Sequence, residues 1–155
     1  MPVVYLNGRY VQAERAKVSA FDRGFSYGDG LFETLRAYSG WVFGLDRHLR
    51  RLGRGAAQVG LQFDGDLERW RRVMSRLLRR NGLTSADSSL RLTVTRGVDV
   101  LGTLLPPEVP SSPTLFLIAR PVEGTIAERQ QVGVDLVPEL RLADHNACDE
   151  RTQRK

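Results

Sequence analysis

The sequence of 155 residues carries 23 lysine and arginine residues against 18 aspartate and glutamate residues, giving a net charge of +5 and a pI near 10.0. An apolar share of 41% and a mean hydropathy of −0.29 are typical of one globular domain, and no apolar run has the length of a membrane span. The single cysteine excludes an internal disulfide framework, and no secretion leader is recognisable. Composition therefore predicts a cytoplasmic protein.

Alternating and turn-forming residues predict a sheet. Strands are expected at residues 3–6, 9–11 and 17–19, with an Asn7-Gly8 turn joining the first two. Further strands are expected at residues 31–38 and 41–43, joined by a Ser39-Gly40 turn, and at residues 90–95, 114–119 and 132–137. Because the connections are short hairpins, the predicted sheet is mainly antiparallel.

Two amphipathic helices are predicted between the hairpins and the later strands. Asp46 is expected to cap the first, which runs to about Gly55, and the second lies between Asp66 and Asn81. The apolar stripe of the second consists of Leu67, Trp70, Val73, Met74, Leu77 and Leu78. Its arginines occupy the remaining, outer face. No aromatic residues are interleaved with them, which disfavours nucleic-acid binding. The predicted fold is an α+β two-layer sandwich with both helices on one face of the sheet.

A glycine-rich segment precedes the strand at residues 31–38. Gly24, Gly28 and Gly30 allow the chain to turn tightly beside a bulky neighbour. Alternation then puts Glu33 on one face of the strand and Phe32 on the other, so that each face mixes apolar and polar groups. Such mixing indicates a strand beside a cavity.

Five motifs in register resemble the N-terminal domain of one family, the class IV (fold-type IV) pyridoxal-phosphate enzymes. This family includes branched-chain and D-amino-acid aminotransferases and aminodeoxychorismate lyase. The motifs are Tyr5-Leu-Asn-Gly8, Asp22-Arg-Gly-Phe25 with Tyr27-Gly-Asp-Gly-Leu-Phe-Glu33, Tyr38-Ser-Gly40, His48-Leu-Arg-Arg-Leu52 and Thr93-Val-Thr-Arg-Gly97. The resemblance covers about residues 3 to 120.

The resemblance implies a role for several side chains. Arg51 matches the arginine that binds the phosphate of pyridoxal 5′-phosphate, and a guanidinium suits phosphate because it is always charged and donates paired hydrogen bonds. Phe32 and Glu33 occupy substrate-pocket positions. Arg91 and Arg96 are candidates for binding the substrate carboxylate, with simple surface arginines as the alternative. His48 could support the site, although a local hydrogen bond is the more ordinary role for such a histidine.

The family's chemistry also requires a lysine that binds the cofactor covalently. Lys17 lies in a region that the family does not use, so Lys155, after Arg141, is the candidate catalytic residue, although it follows that arginine later than the family's lysine does. Apolar patterning stops after Leu142, which predicts a domain at residues 1–142, an irregular tail at 143–155 and no second, cofactor-binding domain. An interrupted or out-of-frame coding sequence is one explanation. Cys148 and His145 in this tail lack the partners of a metal site.

The resemblance leaves the reaction open. We expect amino-group transfer between an amino acid and a 2-oxo acid, of branched-chain type, by a homodimer, with the chain inactive alone. Aminodeoxychorismate lyase is the alternative, and a non-catalytic remnant or dimerisation module is another. D-amino-acid specificity is disfavoured because residues 98–102 lack the family's arginine-histidine carboxylate trap.

Overall fold

The computed structural model describes residues 1–100, 102, 104–105 and 112–122. The strand predicted at residues 132–137, the predicted tail at 143–155 and Lys155 lie outside these residues.

A single antiparallel sheet forms one layer of the described part of the chain. Its strands follow the order β2-β1-β6-β5-β3-β4, and each neighbouring pair in that order is antiparallel. The strands are β1 (Val3–Leu6), β2 (Arg9–Gln12), β3 (Gly30–Tyr38), β4 (Trp41–Val42), β5 (Ser88–Thr95) and β6 (Thr114–Pro121). The predicted mainly antiparallel sheet is confirmed.

Both predicted hairpin turns are confirmed. Asn7 and Gly8 join β1 to β2 with φ angles of 46° and 87°, and Ser39 and Gly40 join β3 to β4 with φ angles of 46° and 78°. Two consecutive residues with positive φ form the turn whose twist matches that of the paired strands. Asparagine and glycine suit these positions because they adopt positive φ at low cost.

Two long helices form the second layer, as predicted. They are α2 (Leu45–Gln58) and α3 (Leu67–Arg80), and α1 (Arg23–Tyr27) is a third, short helix that the sequence did not predict. Asp66 caps α3 by accepting a hydrogen bond from the Arg69 backbone. The predicted cap of α2 is wrong, because Gly44 is the N-cap residue and Asp46 lies in the first turn, where it pairs with Arg50.

The core lies between the helices and one face of the sheet. The apolar stripe of α3 points into it, with Trp70, Met74, Leu77 and Leu78 completely buried. They pack with residues such as Leu35, Leu90, Leu92 and Leu117 from the inner face of the sheet. The two-layer α+β sandwich is therefore confirmed, and the side chains of Phe32, Thr34 and Tyr38 project from the opposite, outer face of β3.

The strand predicted at residues 17–19 is wrong. A short 3-10 turn at Ala13–Arg15 ends the β2 hairpin, and residues 17–19 continue as an exposed, unpaired segment. The residues after it form α1, which starts where the Asp22 carboxylate accepts a hydrogen bond from the Gly24 backbone at 2.8 Å. Gly28 ends α1 in the left-handed region at φ 67°.

Gly30 is required for a close approach between strands rather than for an unusual φ angle. A Cβ atom at this position would lie 2.7 Å from the Val94 carbonyl oxygen and 3.1 Å from the Thr95 Cα. Both atoms belong to the backbone of β5, so they cannot move aside without disturbing the sheet. Gly30 therefore lets the start of β3 pack directly against β5.

We expect Gly30→Ala to lower the free energy of unfolding by about 1–3 kcal/mol, because it overpacks a backbone contact. Gly53→Ala is the matched control, since a Cβ atom there meets nothing within 4 Å inside α2. This control should raise stability by roughly 0.5–1 kcal/mol through helix propensity. Urea denaturation of both variants provides the measurement, and equal stability of the two would contradict the close approach.

Candidate functional site

A buried carboxylate lies where β3 packs against α2. The Glu33 side chain is 4% exposed and lies on the inner face of β3, in line with Leu35 and Ala37. Its Oε1 accepts a hydrogen bond from Arg51 Nε at 2.6 Å, and its Oε2 accepts one from Arg51 Nη2 at 2.5 Å. His48 Nδ1 lies 2.7 Å from the same Oε2. The structure therefore joins three residues that the sequence analysis had assigned to separate roles.

The helical repeat explains why two residues of α2 reach one carboxylate. His48 and Arg51 are three positions apart, so their side chains lie on the same side of the helix. The hydrogen bond from Arg51 is the main reason that the pKa of Glu33 lies below its ordinary value; burial opposes this shift, and His48 adds to it. Glu33 is consequently an ionised carboxylate at neutral pH.

A basic groove lies beside this cluster. It is lined by Phe43, Gly44, Arg47, His48, Arg51 and Arg54. Glu33 occupies the Nε and Nη2 edge of the Arg51 guanidinium, which has five N–H groups in all. The Arg51 side chain is nevertheless 67% exposed, and among the described residues Nη1 has no hydrogen-bond partner. The remaining N–H groups suit a phosphate or carboxylate, since these anions accept paired hydrogen bonds.

The outer face of the sheet carries two other predicted site residues. The guanidinium carbon of Arg91 lies 3.5 Å from the centroid of the Phe32 ring, in a cation–π contact between β5 and β3. Both side chains are exposed, Phe32 to 54%. Glu33 projects to the other face, so Phe32 and Glu33 do not share a pocket formed by the described residues. Their substrate-binding roles, and that of Arg91, stay predictions.

The structure places Arg96 in a cluster that holds the fold together. Its Nε donates to Asp29 Oδ2 at 2.7 Å, and its Nη2 donates to Asp29 Oδ1 at 3.1 Å. Its Nη groups also donate to the carbonyl oxygens of Val59 and Gly60, just after α2. Arg96 thereby ties the end of β5 to the start of β3 and to the end of α2. Arg96 is 11% exposed and therefore not the simple surface arginine of the alternative, and its contact with a substrate carboxylate stays a prediction.

Sequence reasoning did not assign roles to Arg23 and Asp29. Arg23 is 2% exposed and donates to Asp29 at 2.9 Å, to Asp99 at 3.0 Å and to the Leu104 carbonyl at 3.1 Å. Burial raises the pKa of Asp29, but the hydrogen bonds from Arg96 and Arg23 outweigh it and leave the pKa below its ordinary value. The Asp22-Arg-Gly and Gly-Asp-Gly motifs were the signal for this cluster, but a motif does not identify its partners.

Arg76 and Arg80 lie over the Tyr10 ring, and Arg71 pairs with Glu68, so several of the outer arginines of α3 have partners within the fold. In the part of the chain that the structure describes, no helix has the length and apolar character needed to cross a membrane. No group of three or more metal-binding side chains occurs there either.

The architecture and the basic groove together define an α+β domain with a candidate anion site. Residues 30–149 match the model of the amino-transferase class IV family. The chain belongs to the class IV aminotransferase family.

Curated relatives have several different activities. A putative branched-chain-amino-acid aminotransferase of Methanocaldococcus jannaschii is 43% identical over 125 residues, which cover 81% of this chain and 42% of the relative. An aminodeoxychorismate lyase of Bacillus subtilis is 34% identical, with 64% of this chain and 34% of the relative covered. A D-alanine aminotransferase of Staphylococcus epidermidis is 37% identical, with 63% and 34% covered. The chain thus spans about two fifths or less of the length of these relatives.

A solved structure supports the same assignment. A hypothetical aminotransferase from Mycobacterium tuberculosis, in its form with α-ketoglutarate and pyridoxamine phosphate bound, superposes with a TM-score of 0.69 at 30% identity. The match covers 86% of this chain and 44% of that protein. The matched part of this chain therefore corresponds to less than half of that protein.

The lowered pKa of Glu33 predicts how stability depends on pH. Because the folded-state pKa lies below the ordinary value of about 4.3, the stabilisation is present above that pH and is lost as pH falls through the folded-state pKa. In Glu33→Gln the free energy of unfolding should therefore fall less steeply with decreasing pH than it does in the wild type. Urea denaturation from pH 7 down to the acid limit measures this, with Asp87→Asn, an exposed carboxylate that pairs with Arg36, as the control.

The partners of Arg96 predict a stability effect that Arg91 lacks. Arg96→Met should lower the free energy of unfolding by about 1.5–3 kcal/mol, because it removes charge-assisted hydrogen bonds to Asp29 and two carbonyl groups. Arg91→Met should lower it by no more than about 0.5–1 kcal/mol, because only an exposed cation–π contact with Phe32 is lost. Chemical denaturation compares the two variants, and an unchanged free energy of unfolding in Arg96→Met would contradict the structural role.

Proposed function

We propose that this chain binds pyridoxal 5′-phosphate through Arg51 and serves an aminotransferase of branched-chain type. The observation that carries the proposal is the Arg51 guanidinium, which buried Glu33 holds on one edge while the side chain stays 67% exposed and lines a basic groove. Support comes from the Methanocaldococcus jannaschii relative and from solved relatives with pyridoxal or pyridoxamine phosphate bound. When bound, the cofactor supplies an electron sink for charge that develops at the substrate α-carbon.

The groove residues fit a phosphate group by charge and by hydrogen-bonding capacity. Arg51 offers N–H donors that Glu33 does not use, while Arg47 and Arg54 line the same groove and add positive charge. The charge of Glu33 offsets that of Arg51, so Arg47 and Arg54 supply the net attraction for an anion. Arg47, Arg51 and Arg54 follow one another along α2 at intervals of four and three residues, so their side chains lie on the same side of the helix.

On the outer face of the sheet, Arg91 and Phe32 are the candidates for contacting the substrate. We propose that the Arg91 guanidinium binds the carboxylate of an amino acid or a 2-oxo acid. The Phe32 ring beneath it limits the positions that this guanidinium can adopt, because the two lie 3.5 Å apart. An apolar ring beside a carboxylate-binding group suits a substrate with an aliphatic side chain.

Residues 1–142 are proposed to form the N-terminal domain of such an enzyme, in a cytoplasmic homodimer. Its fold corresponds to about two fifths of the solved relatives. We propose that the catalytic lysine and the other cofactor contacts come from a region matching the remainder of those relatives, and that residues 1–155 are inactive alone. Lys155 is the candidate within this sequence, and it lies outside the described residues.

Aminodeoxychorismate lyase activity is the second candidate. The Bacillus subtilis relative supports it, being 34% identical over 100 residues. Glu33, His48 and Arg51 would serve either reaction, because binding a cofactor phosphate does not depend on the substrate. In a protein that also contains the region matching the remainder of the relatives, assays with amino acid and 2-oxo acid pairs, compared with an assay for cleavage of aminodeoxychorismate, separate the two activities. A non-catalytic or dimerisation role predicts neither activity.

Borohydride reduction in the presence of pyridoxal 5′-phosphate tests the covalent chemistry. With the 155-residue chain we expect no adduct specific to one lysine, because we propose that the catalytic lysine comes from a region matching the remainder of the relatives. Peptide mapping after reduction provides the measurement, and Lys17→Arg and Lys155→Arg are the controls. A stoichiometric adduct that Lys155→Arg alone abolishes would show instead that this chain carries its own catalytic lysine.

A further inference from the structure

Glu33 is an unusual residue for its place in the fold. The inner face of β3 is otherwise occupied by apolar side chains such as Leu35 and Ala37, yet Glu33 there is only 4% exposed. Removing a carboxylate from water is costly, and a buried ion pair is often no more stabilising than apolar residues of similar volume. Packing alone therefore does not account for a glutamate at this position.

The geometry of the contact points to a role in orienting Arg51. Both oxygens of Glu33 accept hydrogen bonds from one edge of the guanidinium, at 2.6 and 2.5 Å, while the side chain as a whole stays 67% exposed. His48 lies 2.7 Å from Oε2 and holds the carboxylate from the same helix. A long, exposed arginine is thus restrained at its charged end, with its other edge left for an anion.

We propose that Glu33 is a positioning residue that fixes Arg51 for the phosphate of the cofactor. This inference rests on the proposed function of Arg51. The benefit is entropic, because an arginine that is already held loses less side-chain freedom when it binds an anion. The carboxylate does not contact the phosphate and acts only through Arg51.

Two effects of Glu33 oppose each other, so the choice of variant matters. Its negative charge repels a phosphate in the nearby groove, whereas its hydrogen bonds orient Arg51. Glu33→Asp keeps the charge but withdraws the carboxylate by one carbon–carbon bond, about 1.5 Å. This variant therefore retains the repulsion and loses the paired contact with Arg51.

The test compares the affinity of the chain for pyridoxal 5′-phosphate with its affinity for pyridoxal, which lacks the phosphate. In Glu33→Asp the preference for the phosphorylated compound should fall about two- to tenfold, as expected for releasing one ordered side chain. Arg51→Gln should reduce it by about tenfold or more. The double variant should be no worse than Arg51→Gln alone, because Glu33 acts through Arg51.

Arg50→Gln is the matched control, since it removes an arginine from the same helix that pairs with Asp46 and not with Glu33. Its preference for the phosphorylated compound should equal that of the wild type. General damage to the fold lowers both affinities alike and leaves their ratio unchanged. If Glu33→Asp fails to fold, Glu33→Gln replaces it, and this variant and the wild type are compared at about 1 M salt. The Debye length there is about 3 Å, so that removing the charge of Glu33 changes the repulsion of the phosphate little.

The results separate this inference from the proposed function. A wild-type preference for the phosphorylated compound that Arg51→Gln removes but Glu33→Asp leaves intact would overturn the positioning role and keep the function. An effect of Glu33→Asp that persists in the Arg51→Gln background would also overturn it. No phosphate preference in the wild type would reject both. Loss of preference in Glu33→Asp, with no further loss in the double variant, supports the inference.

Discussion

The pairing of β3 with β5 determines where the candidate site residues lie. It runs through eight residue pairs, from Gly30 opposite Thr95 to Ala37 opposite Ser88. Because alternate side chains of a strand point to opposite faces, this register sends Glu33 toward α2 and leaves Phe32 beside Arg91 on the outer face. A register shift of one residue would exchange these environments and bury Phe32 in place of Glu33.

Charged contacts hold β3 in place at two points. At the start of β3, Asp29 accepts hydrogen bonds from buried Arg23, 6 residues away, and from Arg96, 67 residues away. Further along the same strand, Glu33 accepts hydrogen bonds from Arg51 and thereby connects the sheet to α2. Both carboxylates accept hydrogen bonds from an arginine, but the two arginines differ in their exposure. Arg96 is occupied by fold contacts, whereas Arg51 remains largely exposed.

Sequence patterns predicted the architecture well and the side-chain partners poorly. The hairpin turns and the apolar stripe of α3 follow from local rules, so Asn7-Gly8, Ser39-Gly40 and the face carrying Trp70 were predicted correctly. The 3-10 turn and α1 were missed, because five helical residues are too few to show a repeat. Asp46 was assigned as a cap because an aspartate commonly occupies that position, but the chain enters α2 through the positive φ of Gly44.

The partners of the site residues depend on long-range register and so could not be read from the sequence. Arg51 and Glu33 are 18 residues apart, and Arg96 and Asp29 are 67 apart. Motif similarity assigned Arg51, Glu33 and Arg96 to a site but gave Asp29 no role and identified none of these pairs. It therefore could not distinguish an arginine committed to the fold from one available to a ligand.

The most direct test of the central claim is a crystal structure of this chain grown with pyridoxal 5′-phosphate. The account predicts the phosphate in the groove at the edge of Arg51 that Glu33 does not contact, with Glu33 still bound to Nε and Nη2. A phosphate bound at the arginines of α3, or an Arg51 turned away from Glu33 to reach it, would contradict the account.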